Sequence, residues 1–415
     1  MTPEEITHAL AELREAGEKL RRRPARDTLD ALAALLESWR DPTSPWRRAL
    51  EAALPAVTGF SPAMLKDALA LGLEPWTGDA LLETFARECG TEADWVAGFD
   101  TSAVLLAGSL PLPTLPAVIA PLALRSPVLV KSAARDPVTA PLVAESLAAI
   151  DPELGRCMRT VAFPGSDEAC TRALLEADCV VANGSDATMA AVAARVHPPR
   201  RFVPYGHRLS VAALGPDATG GSALAAAAGA LSRDVALWDQ LGCLSPITVL
   251  VSSSDPAGCP AVAEALADAL ADVEQCWPRG EVEAATAAVI AEERSLAEMR
   301  AATGKAVHLH AGAAWTVVCE DNAALRPAPL HRFVRVQPVR DEAALLEALR
   351  PLGPHLAAVA LAGFSDRTDA MARALARLGA SRVCPPGALQ TPPLAWRRDN
   401  RGVFLPLARL TEIEL

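Results

Sequence analysis

The feature that most constrains the fold of this 415-residue chain is an alternation of short apolar runs with helical segments, which begins near residue 100. Each apolar run is short enough to be a strand and ends in turn residues or in a charged side chain. In the first half of this region, strands are predicted at 103–108, 127–131, 159–163, 179–182 and 201–204, and helices at 139–150 and 186–196. Strands that alternate with helices at this spacing favour β-α-β units and a parallel sheet of the nucleotide-binding type.

The second half of the chain has the same texture. Strands are predicted at 247–251, 308–310, 315–319 and 333–336, helices at 260–273 and 281–301, and a last α/β piece from residue 342 to the proline-rich segment 384–387. Residues 1 to about 90 differ, because apolar residues at helical spacing, such as Ile6, Leu10 and Leu13, predict short amphipathic helices. The predicted fold class is therefore α/β with a helical N-terminal segment.

Charge and cysteine content limit the expected partners and compartment. The net charge of −11 opposes binding to nucleic acid and to anionic membranes, so neither is expected as a partner. Nine cysteines are scattered without a Cys-x-x-Cys pair or a compact Cys/His cluster, which indicates no metal site, and their odd number indicates a reducing compartment. The first residues are acidic, unlike a signal peptide, and the longest uncharged apolar run, 103–124, contains prolines that disfavour a membrane span. A cytoplasmic globular protein is expected.

Cys243 stands out among the cysteines because of its local sequence. A glycine precedes it, Ser-Pro follows one residue later, and the loop lies between an alanine-rich helix and an apolar strand. Such a loop can present a thiol to a cleft, where polar donors near the sulfur would activate it as a nucleophile. The alternative is a small buried hydrophobic side chain, which is the common state of cysteine and our interpretation of the other eight.

Two further segments end predicted strands with groups that suit a bound ligand. Asn183-Gly184-Ser185 is typical of a turn before a helix, with Ser185 as the cap, and amides at a helix N-terminus can hold a phosphate. The chain has no Gly-x-Gly-x-x-Gly fingerprint, so an ordinary capped helix is an equal alternative. Lys131 ends a buried strand, where ligands bind in open α/β sheets, although a solvated charge is the commoner role of a lysine at a strand end.

Several motifs, in the right order, resemble the acyl-CoA reductases of the LuxC family, within the aldehyde dehydrogenase superfamily. They span roughly residues 100 to 400 and are LAGSLP at 106–111, VLVKS at 128–132, RFVPYGHRLS at 201–210, DVALWDQLGCLSP at 234–246 and PPLAW at 392–396. The segment around Cys243 is the most specific of them. The resemblance implies an aldehyde-dehydrogenase-like fold, with a Rossmann-type cofactor domain and an α/β catalytic domain.

The activity that the resemblance implies is NADPH-dependent reduction of an acyl thioester to an aldehyde. Cys243 matches the family's nucleophile, which attacks the thioester, expels the coenzyme A thiol and carries the acyl group until hydride reduces it. Lys131 matches the lysine that contacts the adenosine ribose, and the turn at 183–185 matches the one that contacts the cofactor phosphates. The predicted cofactor-binding residues are Lys131, Ser132, Arg135, Asn183, Gly184, Ser185 and Gly206.

Two departures from the family pattern bear on the chemistry. Aldehyde-oxidising relatives place a water-activating glutamate before a Gly-Gly pair, whereas the equivalent stretch here, 203–208, has no carboxylate, which fits a reductive enzyme. His207 in that stretch is a candidate acid or base, with a solvent-facing or phosphate-contacting role as the alternative. Ser109 stands where the family usually has an asparagine that donates to the oxyanion. A serine hydroxyl can donate one hydrogen bond, and loss of an oxyanion donor costs on the order of 2.7–4 kcal/mol.

The residues after Lys131 indicate which nucleotide is preferred. NAD-preferring relatives often carry a glutamate three residues after the ribose lysine, where it repels a 2′-phosphate. Here the run is Lys131-Ser-Ala-Ala-Arg135. A missing carboxylate and a nearby arginine favour NADP over NAD.

Four segments are predicted: a helical N-terminal segment at 1–95, an NADP-binding domain at 96–225, a catalytic domain at 226–385 and a tail at 386–415 that packs on the cofactor or oligomer side. Expected partners are acyl-CoA or an acyl carrier protein, an acyl-transferring or acyl-activating enzyme, and further copies of the chain in a dimer or tetramer. Two other functions stay open. Ser109 motivates a catalytically weakened acyl-binding or channelling subunit, and a cysteine thioesterase ranks last because no water-activating carboxylate is in view.

Overall fold

The structure, a computed structural model, describes residues 1–90, 95–412 and 414. Its helices are α1 Pro3–Arg22, α2 Ala25–Arg40, α3 Pro45–Thr58, α4 Pro62–Leu73, α5 Gly78–Cys89, α6 Thr114–Ala123, α7 Thr139–Ile150, α8 Pro152–Gly155, α9 Glu168–Leu174, α10 Asp186–Ala193, α11 Gly221–Ala236, α12 Gly258–Cys276, α13 Ala284–Ala302, α14 Glu342–Leu349 and α15 Thr368–Leu378. Its strands are β1 Val96–Ala97, β2 Ser102–Leu105, β3 Val128–Lys131, β4 Met158–Val161, β5 Cys179–Asn183, β6 Arg201–Tyr205, β7 Leu209–Leu214, β8 Pro246–Ser252, β9 His308–Ala311, β10 Thr316–Cys319, β11 Phe333–Val339, β12 Leu356–Ala362, β13 Arg382–Cys384 and β14 Arg409–Leu410.

The chain divides into two compact units. The first comprises residues 1–58, 69–207 and 393–415, and the second comprises 59–68 and 208–392. The four segments expected from the sequence do not map one to one onto these units, and their limits stay predictions.

A five-stranded parallel sheet forms the centre of the first unit, with the strand order β4-β3-β2-β5-β6. The chain runs outward from β2 through β3 to β4 and then continues on the other side of β2 with β5 and β6. This reversal between β2 and β5 is a topological switch point, which is where open α/β sheets bind ligands at the carboxyl ends of their strands.

The N-terminal helix α1 covers part of this sheet. Its Ile6, Leu10 and Leu13 are buried in one cluster with Leu129 of β3 and Val180 of β5. The helical spacing of these apolar residues therefore places a continuous stripe against the sheet. The predicted helical N-terminal segment is present as α1 to α5.

The second unit contains a seven-stranded sheet with the order β13-β12-β7-β8-β11-β10-β9. All neighbouring pairs are parallel except β9 with β10, which is antiparallel. Only residues 312–315 connect β9 to β10, and so short a link joins antiparallel neighbours, whereas parallel neighbours need a long crossover. The predicted α/β class is confirmed, and the antiparallel strand pairings among the described residues are β9 with β10 and, in the first unit, the two-residue strands β1 with β14.

Two central strands of the second sheet were not predicted individually from the sequence. β7 begins directly after the turn at 206–208, beyond the predicted strand at 201–204. β12 lies within the last α/β piece, whose strands were not separated. Within the part of the chain that the structure describes, every helix is too short or too polar to cross a bilayer.

Candidate active site

The predicted cofactor residues of the first unit gather at the carboxyl edge of its sheet. Lys131 is the last residue of β3 and lies in register with Leu105, the last residue of β2. On the other side of β2, Asn183 ends β5, and its Nδ2 donates to the Leu105 carbonyl at 3.2 Å. The strand ends that carry Lys131 and Asn183 therefore lie on either side of β2, at the switch point.

Lys131 is half-buried at this edge. Burial lowers the pKa of its ammonium group, because removal from water disfavours the charged form. Its Nζ lies 5.0 Å from the centroid of the Phe163 ring, which is a cation–π distance. A partly desolvated ammonium at a strand end is well suited to bind a hydroxyl or phosphate group, since it has already lost part of its hydration.

The residues after Lys131 turn into α7. Ser132 is buried, and its backbone N–H donates to the Val161 carbonyl at 3.0 Å. Arg135 is exposed. The neighbouring carboxylate of Asp136 is buried and accepts from the backbone N–H groups of residues 138 and 139 at 3.2 and 3.0 Å. This carboxylate is thus committed to the start of α7.

The turn at 183–185 combines a glycine with a helix cap. Gly184 has φ +156°, and its N–H donates to the Tyr205 carbonyl at 3.2 Å. The Ser185 hydroxyl caps α10 by accepting from the Thr188 N–H at 3.2 Å, as predicted for a helix start. The Oδ1 of Asn183 is buried and has no hydrogen-bond partner among the described residues. A buried acceptor without a partner, beside a helix N-terminus, fits a dinucleotide, whose hydroxyl and amide groups can donate to it.

The turn after β6 brings Gly206 and His207 to the same edge. The backbone N–H of His207 donates to Asp186 Oδ1 at 2.9 Å, which ties this turn to the first residue of α10. The His207 side chain is exposed. Its position suits a solvent-facing or phosphate-contacting role as well as an acid–base role, so the alternatives drawn from the sequence both stay open.

A stacked pair beside this turn was not predicted from the sequence. The Arg398 guanidinium carbon lies 4.4 Å from the centroid of the Tyr205 ring, and burial raises the pKa of the tyrosine hydroxyl. Arg401 donates to the Pro204 carbonyl at 3.0 Å. The signal in the sequence was the PPLAW motif just before Arg398, but nothing in the local pattern indicated which strand it contacts.

Ser109, the predicted oxyanion donor, follows β2 at the same edge of the sheet. It is 5 % exposed, and the preceding Gly108 has φ +86° with open space where a Cβ would lie. The chain therefore turns sharply after β2 and buries the Ser109 side chain. The role of Ser109 stays a prediction.

In the second unit, Cys243 lies in a short loop before β8. Its side chain is exposed, whereas the next two residues are buried. The Ser210 hydroxyl donates to the Cys243 carbonyl at 2.7 Å, and the Ser245 N–H donates to the Gly242 carbonyl at 3.0 Å. The loop is thus held by its backbone while the thiol faces outward.

A third support of this loop comes from the segment 387–390. The buried Asp234 carboxylate accepts from the Gly387 N–H at 2.6 Å and from the Leu389 N–H at 3.0 Å. The next residue, Gln390, uses its Nε2 to donate to the Asp234 carbonyl at 2.9 Å and to the Ser245 hydroxyl at 3.0 Å. Burial raises the pKa of Asp234 to about 7.

The residues just before the loop have an unusual backbone. Trp238, Asp239 and Gln240 have φ values of 57°, 48° and 65°, and all three are buried. The left-handed conformation costs about 1–2 kcal/mol for each residue with a side chain. Such a conformation persists only where the surroundings enforce it, and clusters of this kind are typical of functional sites.

The other cysteines differ from Cys243 in exposure. Cys384 is half-buried and Cys276 is exposed. The buried ones are Cys89, Cys157, Cys170, Cys179, Cys259 and Cys319. Burial raises the pKa of Cys89 and of Cys179 to about 12, so neither forms a thiolate near neutral pH. Burial therefore accounts for most of the other thiols but not for Cys276.

The two sheets, one in each unit, belong to an aldehyde-dehydrogenase-like fold. The family of acyl-CoA reductases (LuxC) matches residues 21–412, so the chain belongs to this family. The resemblance inferred from the motifs and the expected enzyme class, an oxidoreductase of the acyl-CoA reductase type, are confirmed.

Solved structures with the same fold are distant in sequence. A NAD-dependent benzaldehyde dehydrogenase from Corynebacterium glutamicum is 14% identical, with a TM-score of 0.74 over 99% of this chain and 88% of its own. A salicylaldehyde dehydrogenase from Pseudomonas putida G7 is 14% identical, with a TM-score of 0.72 over 99% and 90%. An NADP-dependent glyceraldehyde-3-phosphate dehydrogenase from Bacillus halodurans, complexed with NADP, is 13% identical, with a TM-score of 0.70 over 98% and 90%. A search of curated proteins gives no match.

Proposed function

We propose that the protein reduces an acyl thioester, carried by coenzyme A or by an acyl carrier protein, to an aldehyde, with NADPH as reductant and Cys243 as nucleophile. The observation that carries the proposal is the contrast among the thiols. Cys243 is exposed on a loop with several backbone anchors, whereas six of the other eight thiols are buried. Membership of the acyl-CoA reductase family supports the substrate class.

In the proposed reaction the Cys243 sulfur, as thiolate, attacks the carbonyl carbon of the thioester. The C–S bond to the donor breaks, the donor thiolate takes up a proton, and the acyl group is left on Cys243 as a new thioester. NADPH, when bound, supplies the hydride that reduces this acyl carbon. The resulting oxyanion then reforms the carbonyl, the Cys243 sulfur leaves as thiolate, and the aldehyde is released.

Residues of the first unit are proposed to hold the cofactor. Lys131 would bind the adenosine ribose, and the amides at the start of α10, with Gly184 and Ser185, would bind the phosphates. Arg135 would favour a 2′-phosphate, since it is exposed and the run from Lys131 to Arg135 has no carboxylate that would repel one. Ser132, Asn183 and Gly206 complete this set. Ser109 would donate to the oxyanion, and His207 stays a candidate acid or base.

The test is incubation of the protein with NADPH and acyl donors of several chain lengths on both carriers. Wild type should oxidise NADPH and release aldehyde, and Cys243→Ala should reduce the rate to background. Cys276→Ala, which removes another exposed thiol of the same unit, should retain the wild-type rate. The proposal fails if Cys243→Ala keeps its activity, or if wild type turns over none of the donors. An acyl adduct without NADPH oxidation would instead support an acyl-carrying subunit.

A further inference from the structure

The most unusual feature of the second unit is that a second left-handed turn faces the one before Cys243. Leu330, His331 and Arg332 have φ values of 65°, 54° and 66°. They lie directly before β11, more than 80 residues further along the chain than the turn at 238–240. Side chains of each turn contact the other turn or the residue that follows it, so neither conformation depends on its local sequence alone.

A buried ion pair forms the first connection between the two turns. Arg332 Nε donates to Asp239 Oδ1 at 2.9 Å, and its Nη2 lies 2.6 Å from the same oxygen. Arg332 and Asp239 are both almost completely buried. Asp239 Oδ2 accepts from the Gly280 N–H at 3.0 Å, and Arg332 Nη1 also reaches Glu274. Oδ1 of Asp239 thus faces the Arg332 guanidinium, and Oδ2 accepts from a backbone N–H.

The second connection is a pair of reciprocal hydrogen bonds. Gln240 Oε1 accepts from the Phe333 N–H at 2.8 Å, and Gln240 Nε2 donates to the Phe333 carbonyl at 2.9 Å. The same Nε2 donates to the Pro246 carbonyl at 2.9 Å, at the first residue of β8. Gln240 therefore fixes both ends of the segment 240–246, which contains Cys243, to the start of β11.

We infer that Asp239, Gln240 and Arg332 are positioning residues that hold the Cys243 loop in the geometry for acyl transfer. The inference rests on the proposed function of Cys243. None of the three needs to contact the substrate, because their effect reaches the thiol through the backbone of residues 240–246. A misplacement of about 1 Å is enough to slow a reaction about 10²-fold, so a loop held by strained backbone needs such support.

The test compares Asp239→Asn and Gln240→Met with Glu320→Gln as a matched control. Glu320 is a buried carboxylate that directly follows β10 of the same unit. It is paired with Arg335 at 2.5 Å, and none of its ion pairs or hydrogen bonds is to the described residues 238–246. Asp239→Asn removes the negative charge of the side chain that Arg332 contacts, together with one acceptor oxygen. Gln240→Met keeps the length of the side chain but removes the amide that bonds Phe333 and Pro246, and it leaves no buried charge unpaired. The two changes therefore perturb the contacts between the turns at 238–240 and 330–332 in different ways.

Two measurements are made on each variant: hydrogen–deuterium exchange of the peptide covering 237–246, and the rate of acyl transfer to the protein at saturating acyl-CoA. For both variants we expect about tenfold faster exchange at 237–246. Acyl transfer should be about 10²-fold slower for Asp239→Asn and about tenfold slower for Gln240→Met. The acyl-CoA concentration that gives half the maximal rate should stay within about twofold of wild type. Glu320→Gln should stay within about twofold of wild type in both.

The inference is overturned if Asp239→Asn and Gln240→Met both acylate at the wild-type rate, or if exchange at 237–246 does not change in either. It is also overturned if Glu320→Gln loses as much acylation as these two variants at an equal loss of stability. Each of these outcomes leaves the proposed function intact when wild type acylates at Cys243. Wild-type protein that does not acylate would instead contradict the proposed function itself.

Discussion

The two regions that carry the candidate chemistry are held in different ways. At the carboxyl edge of the five-stranded sheet, Lys131 and Asn183 are positioned by strand register, and Ser185 by a local helix cap. The Cys243 loop depends instead on buried side chains from distant parts of the sequence, such as Arg332 and Gln390. The first arrangement rests on backbone ladder bonds and a helix cap, whereas the second stores backbone strain and opposes it with buried polar contacts.

This difference predicts where substitutions should damage the fold and where they should damage binding alone. Removing a side chain at the sheet edge exposes little and leaves the strands paired. Removing one partner of a buried pair leaves an uncompensated charge in a dry environment.

The largest loss in the free energy of unfolding is expected for Arg332→Ala. Its buried guanidinium faces Asp239, so the substitution leaves that carboxylate buried without its cation, at a cost of about 3–5 kcal/mol in the free energy of unfolding. Urea denaturation measures the change. Arg373→Ala, which breaks an exposed pair with Asp369 in the same unit, should have no measurable effect. Equal effects of the two substitutions would remove the distinction between buried and exposed pairs.

The next largest effect is a pH dependence of the free energy of unfolding that originates at Asp234. Its pKa is about 7 in the folded protein, against an ordinary value of 3.8, so the folded state binds more protons than the unfolded chain between these values. The free energy of unfolding should therefore fall as the pH rises from about 4 to 7, by up to about 1.4 kcal/mol per pH unit.

Urea denaturation at pH 5.8 and pH 7.8 measures how far the free energy of unfolding falls over this interval. Asp234→Asn cannot titrate, so its stability should fall less over the same interval than that of wild type. Identical slopes for the two proteins would show that Asp234 does not carry the dependence.

The smallest effect on stability is expected at the sheet edge. Lys131→Met should weaken NADPH binding about tenfold, or about 1.4 kcal/mol, because the ribose loses its proposed cationic partner. It should not lower the free energy of unfolding, since the half-buried ammonium already bears a desolvation cost. Fluorescence titration with NADPH and urea denaturation measure the two quantities.

Lys19→Met, an exposed lysine of the same unit, is the matched control and should bind NADPH as wild type does. Wild-type affinity in Lys131→Met would contradict the proposed cofactor site. A loss of stability as large as that of Arg332→Ala would contradict the contrast between the two regions.

The sequence predicted the locally determined features well. The helix at 139–150 and the cap at Ser185 match the structure, because periodicity and capping act over a few residues. Most strand limits differ by a few residues, as at β2, where the apolar run continues past the last ladder bond at Leu105. The family and fold followed from several motifs in order, none of which was sufficient alone.

The supports of the Cys243 loop could not be predicted in this way. Asp239 and Gln240 belong to the most specific motif, yet their partners Arg332 and Phe333 lie more than 90 residues away in sequence. Nor does any propensity predict three consecutive left-handed residues that include a tryptophan, since the local preference opposes them. Only tertiary contacts select this backbone.

The most direct measurement of the central claim is a mass map of the protein after incubation with acyl-CoA in the absence of NADPH. Peptides from wild type should carry one acyl group, on Cys243, and addition of NADPH should remove it with release of aldehyde. Cys276 is exposed as well and provides the internal comparison in the same digest. An acyl group on Cys276 or on another thiol instead of Cys243, or no adduct with any donor, would contradict the account.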